Sequence, residues 1–332
     1  MNDLLAGLLG ALVSTNTPVA VSNLVHQKTG LAIAVVDPND PTEQAYRQLM
    51  TEDDEALAEI TRWREAAEKT GIKPSAVEIS LLHNRIRQRV APVRKSYENF
   101  LEKHPRYTNA RIAYAAFLEE VGESEEGGGQ LEKAVQLDAS SAAAMNNLAN
   151  YYGHSGKLTN AFALYEAAMR LSPREPLYCE NLATIVFAFR RDAMAHYGID
   201  EQQVFVKALG LYRRAFELDP KNLDRAIELA KTYYGIKPVT TGDGENGREA
   251  ELKLAEEALA AWRVAYDLST DEAEREGVRI HFARWQINTG RFDEARKNLD
   301  SVTNENFLET KGVLLKKLNS RQAEEKKAPE RP

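Results

Sequence analysis

Residues 142–175 read AAAMNNLANYYGHSGKLTNAFALYEAAMRLSPRE, and this stretch decides the fold. Apolar residues recur in it at steps of three and four, first around Leu148 and again around Ala161 and Tyr165. Such spacing is typical of helices that bury one face. Gly156 separates the two segments. The pattern therefore predicts two helices joined by a short turn.

The same pattern occurs about 34 residues earlier and about 34 residues later. The matching positions of the earlier copy include Tyr114, Ala115, Leu118, Leu131 and Ala134, and those of the later copy begin with Leu182, Ala183 and Val186. A fixed period in this range indicates stacked pairs of helices rather than one core folded in the round. Such stacks usually bind other molecules on an extended surface and rarely carry out chemistry.

Two later copies of the pattern are interrupted between their helices, near 189–204 and near 238–248. The first insertion is amphipathic and is expected to extend the helices. The second is rich in Gly, Thr and acidic residues, which indicates a flexible loop. In the copy before residue 142, Gly127, Gly128 and Gly129 fall between the two helices, and we interpret them as a loosened turn.

The flanking sequence predicts caps around the repeats. Thr51 begins a Thr-Glu-Asp-Asp capping box, and the apolar spacing after it predicts a helix that ends near Gly71. The predicted organisation is a helical or extended N-terminal capping region at 1–71, a degenerate repeat or cap at 72–107, a solenoid of about five repeats at 108–306, a C-terminal helix at 307–319 and a disordered tail at 320–332.

The N-terminus carries an apolar run at 4–13 that is too short to span a bilayer. It resembles the apolar part of a secretory signal, and residues 20–22 offer small side chains for cleavage. No Lys or Arg precedes the run, however, and the segment 18–29 has proline and glycine where a helix starts and ends. Residues 31–36 are β-prone. We favour folded helices and a cytoplasmic location, with an exported or periplasmic protein as the alternative.

The composition and net charge of the chain disfavour or exclude several classes of function. The net charge of −7 disfavours nucleic acid or anionic lipid as the main partner. The single cysteine, Cys179, excludes an internal disulfide and a cysteine zinc cluster, and its place on an apolar helix face predicts a buried thiol. The six histidines are scattered and no nucleophile pattern occurs. We therefore predict no metal, no cofactor and no enzymatic activity.

On these residues the chain resembles tetratricopeptide repeat (TPR) proteins, at nearly every position over 142–175 and more loosely over 108–302. The resemblance implies an all-α fold, a right-handed α-solenoid of helix-turn-helix repeats with N-terminal capping helices. In that family the first helices of the repeats line a concave groove that binds extended peptides or partner helices. Gly127 and Gln286 depart from the family pattern, since Ala and an aromatic residue are usual there.

The resemblance also implies which positions face the groove: two, five, six, nine, twelve and thirteen, counted from the first residue of a repeat. The candidate peptide-binding residues are Asn146, Asn147, Asn150, His154, Asn181, Thr184, Phe187, Lys231 and Tyr234. Asn147 and Asn181 share position six, and their carboxamides offer a donor and an acceptor to a peptide backbone. A bond to a neighbouring helix is the structural alternative. The carboxylate clamp of chaperone-binding members is rejected, because Asp224 and Glu228 stand where it needs bases.

The sequence therefore predicts a non-catalytic protein–protein interaction scaffold. Its partner is predicted to be a protein or peptide, with no nucleic acid and no integral membrane span, and self-association is left open. The alternative is a structural or assembly component of a bacterial cell envelope, exported or anchored through its N-terminus.

Overall fold

The computed structural model describes residues 40–68, 75–238 and 245–327. These residues form 14 α-helices, and no strand occurs among them. The predicted all-α class is therefore confirmed. Most of the helices pack as antiparallel pairs that follow one another along the chain.

The chain divides into two compact units between Pro173 and Arg174. We call them the N-terminal and the C-terminal unit. The helices expected at 4–13 and 18–29 and the β-prone segment at 31–36 lie outside the described residues.

The N-terminal unit contains six helices in its described residues. Their bounds are α1, Pro41–Glu68; α2, Ala76–Lys103; α3, Thr108–Glu120; α4, Ser124–Leu137; α5, Ala142–His154; and α6, Leu158–Leu171. α1 and α2 have 28 residues each, whereas α3 to α6 have 13 or 14. The pairs α3/α4 and α5/α6 are thus the two regular repeats, and the longer pair precedes them.

The first helix begins at Pro41, where the sequence pattern turns helical, and continues through Thr51 without a break. Asp40 accepts a hydrogen bond from the Thr42 backbone N–H at 2.8 Å, and proline suits the first turn because its missing N–H would have no helical partner there. Thr51 lies inside the helix, where its hydroxyl donates to the Arg47 carbonyl at 3.0 Å. The predicted capping box is therefore wrong, since the hydroxyl bonds to the preceding turn instead of to a helix end.

A buried tyrosine joins the long pair to the first repeat. Tyr97 of α2 is completely buried and stacks on Tyr114 of α3, with ring centroids 4.6 Å apart. Its hydroxyl donates to the Asp53 carboxylate of α1 at 2.5 Å. A single side chain thus connects three helices, which explains why an aromatic residue stands at this position.

The three consecutive glycines lie inside α4, so the prediction of a loosened turn is wrong. A Cβ at Gly127 would lie 3.0 Å from the Ala115 carbonyl oxygen, and one at Gly128 would lie 2.3 Å from the Tyr151 ring. A Cβ at Gly129 would meet nothing within 4 Å. Two of the glycines therefore allow α3 and α5 to approach α4 closely, which a turn signal in the sequence does not reveal.

The C-terminal unit contains eight α-helices in its described residues. Their bounds are α7, Pro176–Ala188; α8, Arg190–Tyr197; α9, Glu201–Leu218; α10, Leu223–Thr232; α11, Glu245–Leu268; α12, Glu272–Asn288; α13, Phe292–Asp300; and α14, Glu305–Lys327. A 3-10 turn at Tyr233–Gly235 continues α10. The first insertion forms the separate helix α8. In the second, residues 245–248 belong to α11 rather than to a loop, and 239–244 lie outside the described residues.

The turn residue of each repeat explains where the insertions fall. Gly122, Gly156 and Gly290 stand at position fifteen of their repeats, with φ of 88°, 77° and 81°. Residues with a side chain rarely adopt this conformation. The two interrupted repeats have Arg190 and Lys237 at that position. Without glycine the tight turn is unfavourable, and the chain takes a longer route between the paired helices.

The last three helices are held by buried polar contacts. Glu276 of α12 accepts hydrogen bonds from the backbone N–H groups of Thr303 and Asn304 at 2.9 and 2.7 Å. The Asn304 bond, with others, lowers the pKa of Glu276. α14 continues to Lys327, so the disorder predicted from residue 320 is wrong up to that point. Arg321 explains the extension, because it donates to the Asn288 carbonyl at 3.3 Å.

Candidate peptide-binding surface

The asparagines of α5 make hydrogen bonds within the N-terminal unit. Asn147 donates from Nδ2 to the Ala143 carbonyl at 2.8 Å. Asn150 accepts from the Tyr165 hydroxyl of α6. Both side chains are half-buried, whereas Asn146 is completely buried and has no surface to offer a ligand. The Asn150 bond reaches the neighbouring helix α6, which was the structural alternative, whereas the Asn147 bond to Ala143 lies within α5.

His154 is exposed at the end of α5. Its Nδ1 lies 3.3 Å from Oε1 of Glu119 on α3. The hydrogen bond to Glu119 raises the pKa of His154 above its ordinary value. The pair adds a titratable charge at the edge of this surface, where water screens it.

The candidate residues of α7 lie in the C-terminal unit. Asn181 is half-buried. The Thr184 hydroxyl is 3.0 Å from the Glu180 carbonyl and 2.9 Å from the Tyr212 hydroxyl, so its hydrogen-bonding capacity is used within the unit. Asn147 belongs to the other unit, and the ladder with Asn181 stays a prediction.

Phe187 is an apolar residue in the last turn of α7. Its half-buried ring packs edge-on against Phe205 of α9, with centroids 5.4 Å apart. The ring therefore has one side against α9 and part of its surface exposed.

Four aromatic rings, from α11, α12 and the 3-10 turn after α10, meet in what we call the aromatic cluster. Tyr234 stacks on Trp285, with centroids 5.1 Å apart, and its hydroxyl is 3.0 Å from His281 Nδ1. His281 stacks on Trp262 at 3.9 Å. Tyr234 is 38% exposed, Trp285 8% and Trp262 1%. The cluster thus has a buried base in Trp262 and Trp285 and a partly exposed residue in Tyr234.

His281 and Arg284 belong to this surface, although we did not select them from the sequence. Counting repeat positions from Glu276 places His281 at six and Arg284 at nine. The Arg284 guanidinium lies 5.6 Å from the Tyr234 ring centroid, within the range of a cation–π contact. The same position rule would have found both residues if it had been extended to the last repeat.

The charges of this surface follow from burial. Burial, with Arg284 and Lys231 nearby, lowers the pKa of His281 to about 3, so the ring is neutral at pH 7. Burial raises the pKa of Tyr234 to about 12, against the effect of Arg284. Lys231 is exposed, and its Nζ lies 2.7 Å from Glu228 Oε1. Positive charge therefore comes from Lys231 and Arg284 and not from the histidine.

Over 40–68, 75–238 and 245–327, no group of three or more His, Cys, Asp or Glu side chains is placed to hold a metal ion. No helix in these ranges is long and apolar enough to cross a membrane. Cys179 is buried with a free thiol, as predicted.

No protein-family model and no curated protein sequence matches the chain. Among solved structures it is similar to YrrB, a TPR protein with an unusual peptide-binding site, at 15% identity over 68% of this chain and 97% of that one, with a TM-score of 0.48. It is similar to PilF of Pseudomonas aeruginosa at 15% identity over 82% and 99%, with a TM-score of 0.47. An O-GlcNAc transferase of Thermobaculum terrenum is 17% identical over 45% and 26%, with a TM-score of 0.32.

The paired helices and their period define the class of protein. Antiparallel helices of 13 or 14 residues, joined at a positive-φ glycine, form the two regular repeats of the N-terminal unit, as the TPR resemblance implied. The described helix pairs have the tetratricopeptide-type fold. At identities of 15–17% the similarities concern the fold alone, and the class is assigned from the helix pairs themselves.

Proposed function

We propose that this chain is a non-catalytic scaffold that binds an extended peptide or a partner helix on the face formed by the first helices of its repeats. The observation that carries the proposal is the aromatic cluster, in which Tyr234 beyond α10 contacts His281 and Trp285 of α12. Partly exposed aromatic rings with a polar end are typical of the central contacts of protein interfaces.

The C-terminal unit supports binding more strongly than the N-terminal unit. Tyr234 is partly exposed, and Lys231 lies one turn earlier as a donor. Asn147 and Asn150 are half-buried and already hydrogen-bonded, so we assign them a secondary role. Asn146 is left out because it is completely buried.

The proposal is tested by partner recovery. The full chain and variants are used for affinity purification from the native cell, followed by mass spectrometry. We expect Lys231→Ala combined with Tyr234→Ala to reduce recovery about tenfold or more, which corresponds to about 1.4 kcal/mol. Val264→Ala is the matched control, because Val264 is also 38% exposed but lies on α11, a second helix.

Circular dichroism and thermal unfolding must show that each variant keeps its helices. Full recovery by a folded Lys231→Ala, Tyr234→Ala variant contradicts the proposal. Asn147→Ala combined with Asn181→Ala tests the asparagines separately, and we expect a smaller loss of recovery from that pair.

A further inference from the structure

A second group of side chains lies beside the aromatic cluster, at the C-terminal end of α12. We call Arg284, Lys317 and Arg321 the basic cluster. Lys317 donates from Nζ to Asn288 Oδ1 at 2.9 Å, and Arg321 donates to the Asn288 carbonyl at 3.3 Å. Arg284 precedes Asn288 by one helical turn and therefore shares its face of α12. Two helices thus bring three cations to one end of the C-terminal unit.

The basic cluster lacks the carboxylate partners that two other arginines of this unit have. Arg225 pairs with Glu180 and Arg291 pairs with Glu256. In the part of the chain that the structure describes, no such ion pair involves Arg284, Lys317 or Arg321.

The three positive charges of the basic cluster disfavour one another. Burial, followed by Arg321 and Arg284, lowers the pKa of Lys317. Lys317 and Arg321 are nevertheless exposed, so an anion can reach them from solvent. A carboxylate bound there would offset the mutual repulsion and satisfy guanidinium donors whose geometry matches it.

We infer that the basic cluster binds a carboxylate of an acidic peptide whose neighbouring apolar or aromatic side chain packs on Tyr234 and Trp285; this rests on the proposed peptide-binding function. The Arg284 guanidinium lies over the Tyr234 ring, so a residue pair of a bound peptide can contact both groups together. The contact combines a charge-assisted hydrogen bond with burial of an apolar side chain.

Charges on α10 set the direction of the bound segment. Asp224 is exposed and Glu228 is half-buried on this helix, where Lys231 offsets only one of them. A second carboxylate there would be repelled. The acidic residue of the peptide therefore lies toward α12 and α14, and its apolar residue lies toward α10.

A random dodecapeptide library displayed on phage tests the inference with the full chain as bait. We expect enriched peptides to carry Asp or Glu next to Phe, Trp or Leu. A fluorescein-labelled copy of an enriched peptide should bind about tenfold or more tightly than its twin with Asn and Gln in place of Asp and Glu, as measured by fluorescence anisotropy. Arg284→Ala combined with Lys317→Ala should abolish this preference.

Two variants control this experiment. Lys316→Ala removes an exposed charge next to Lys317 and should keep the full preference. Arg321→Gln removes a charge without touching the aromatic cluster, and it should reduce the preference even if the double variant unfolds.

The possible outcomes distinguish failure of this inference from failure of the proposed peptide-binding function. Enrichment of peptides without acidic residues, or equal affinity for the peptide and its amide twin, overturns the inference and leaves peptide binding standing. A library that yields no peptide contradicts the proposed function as well. Competition by inorganic phosphate without any preference for acidic peptides assigns the cluster to phosphate and also overturns the inference.

Discussion

The two units use the same repeat positions in different ways. In α5, positions six and nine hold Asn147 and Asn150, and both form hydrogen bonds within their unit. In α12, the same positions hold His281 and Arg284, which lie on aromatic rings of the C-terminal unit. The polar groups of α5 therefore stabilise the repeat, while the Arg284 guanidinium of α12 keeps donors available to a partner.

The difference shows that the position of a residue in its repeat does not by itself determine whether the residue contacts a ligand. Asn150 bonds inward because Tyr165 of the second helix supplies a buried hydroxyl at the same level. At α12 the second helix of the preceding repeat supplies Trp262, and His281 stacks its ring on it.

The largest effect on the free energy of unfolding is expected from Asn150→Ala. It leaves the buried Tyr165 hydroxyl without its acceptor, and we expect a loss of about 1–3 kcal/mol in the free energy of unfolding, measured in urea. Combining Asn150→Ala with Tyr165→Phe removes the unsatisfied hydroxyl and should recover part of that loss. If Asn150→Ala keeps full stability but loses partner recovery, the contrast between the units is wrong.

The glycines of α4 give the next largest effect. Gly127→Ala should lower the free energy of unfolding by about 1 kcal/mol, because the clash with the Ala115 carbonyl exceeds the gain in helix propensity. Gly129→Ala has open space and should raise it by about 1 kcal/mol. Equal effects from the two substitutions would show that α3 and α4 do not pack as closely as described.

These glycines also show how far the sequence predicts the fold. The helices of 142–175 were placed well because apolar periodicity, Gly156 and Pro173 all agree. Thr51 and the three glycines of α4 misled because each is a local signal for a helix end or turn. Gly127 and Gly128 are explained by close contacts with α3 and α5, which no local pattern contains, and Thr51 by a hydrogen bond to the preceding turn of its own helix.

The sequence predicts where the candidate surface lies, but it does not predict which contacts its side chains make. The repeat count leads directly to His281 and Arg284 when it is continued through the last repeat. It does not reveal that Asn150 bonds to Tyr165, because that depends on the height of two helices relative to one another. It also cannot place Lys317 near Arg284, since α14 lies outside the repeat pattern.

Titration of the two histidines should change the free energy of unfolding in opposite directions. For His281 the folded pKa lies below the unfolded value, so acidification through about pH 6.5 favours the unfolded state. Between pH 7 and about 5.5 this costs about 1 kcal/mol of unfolding free energy, and His281→Gln should remove that dependence.

For His154 the raised pKa gives the opposite sign: its contribution is present below pH 6.5 and is lost as the pH rises through the folded value. Proton NMR titration of the two imidazoles measures both values. A His281 that titrates at or above 6.5 would mean that its ring is not held against Trp262.

The smallest effect on stability is expected at Lys231, and it gives the sharpest test of the comparison. Its ion pair with Glu228 is exposed, so Lys231→Ala should change the unfolding free energy by less than about 0.5 kcal/mol. The same substitution should still weaken partner recovery, because it removes a donor beside the aromatic cluster. Asn150→Ala should show the reverse order, with stability lost and recovery by the remaining folded protein kept. A Lys231→Ala variant that loses stability without losing partner recovery would place the C-terminal surface in the same structural role as α5.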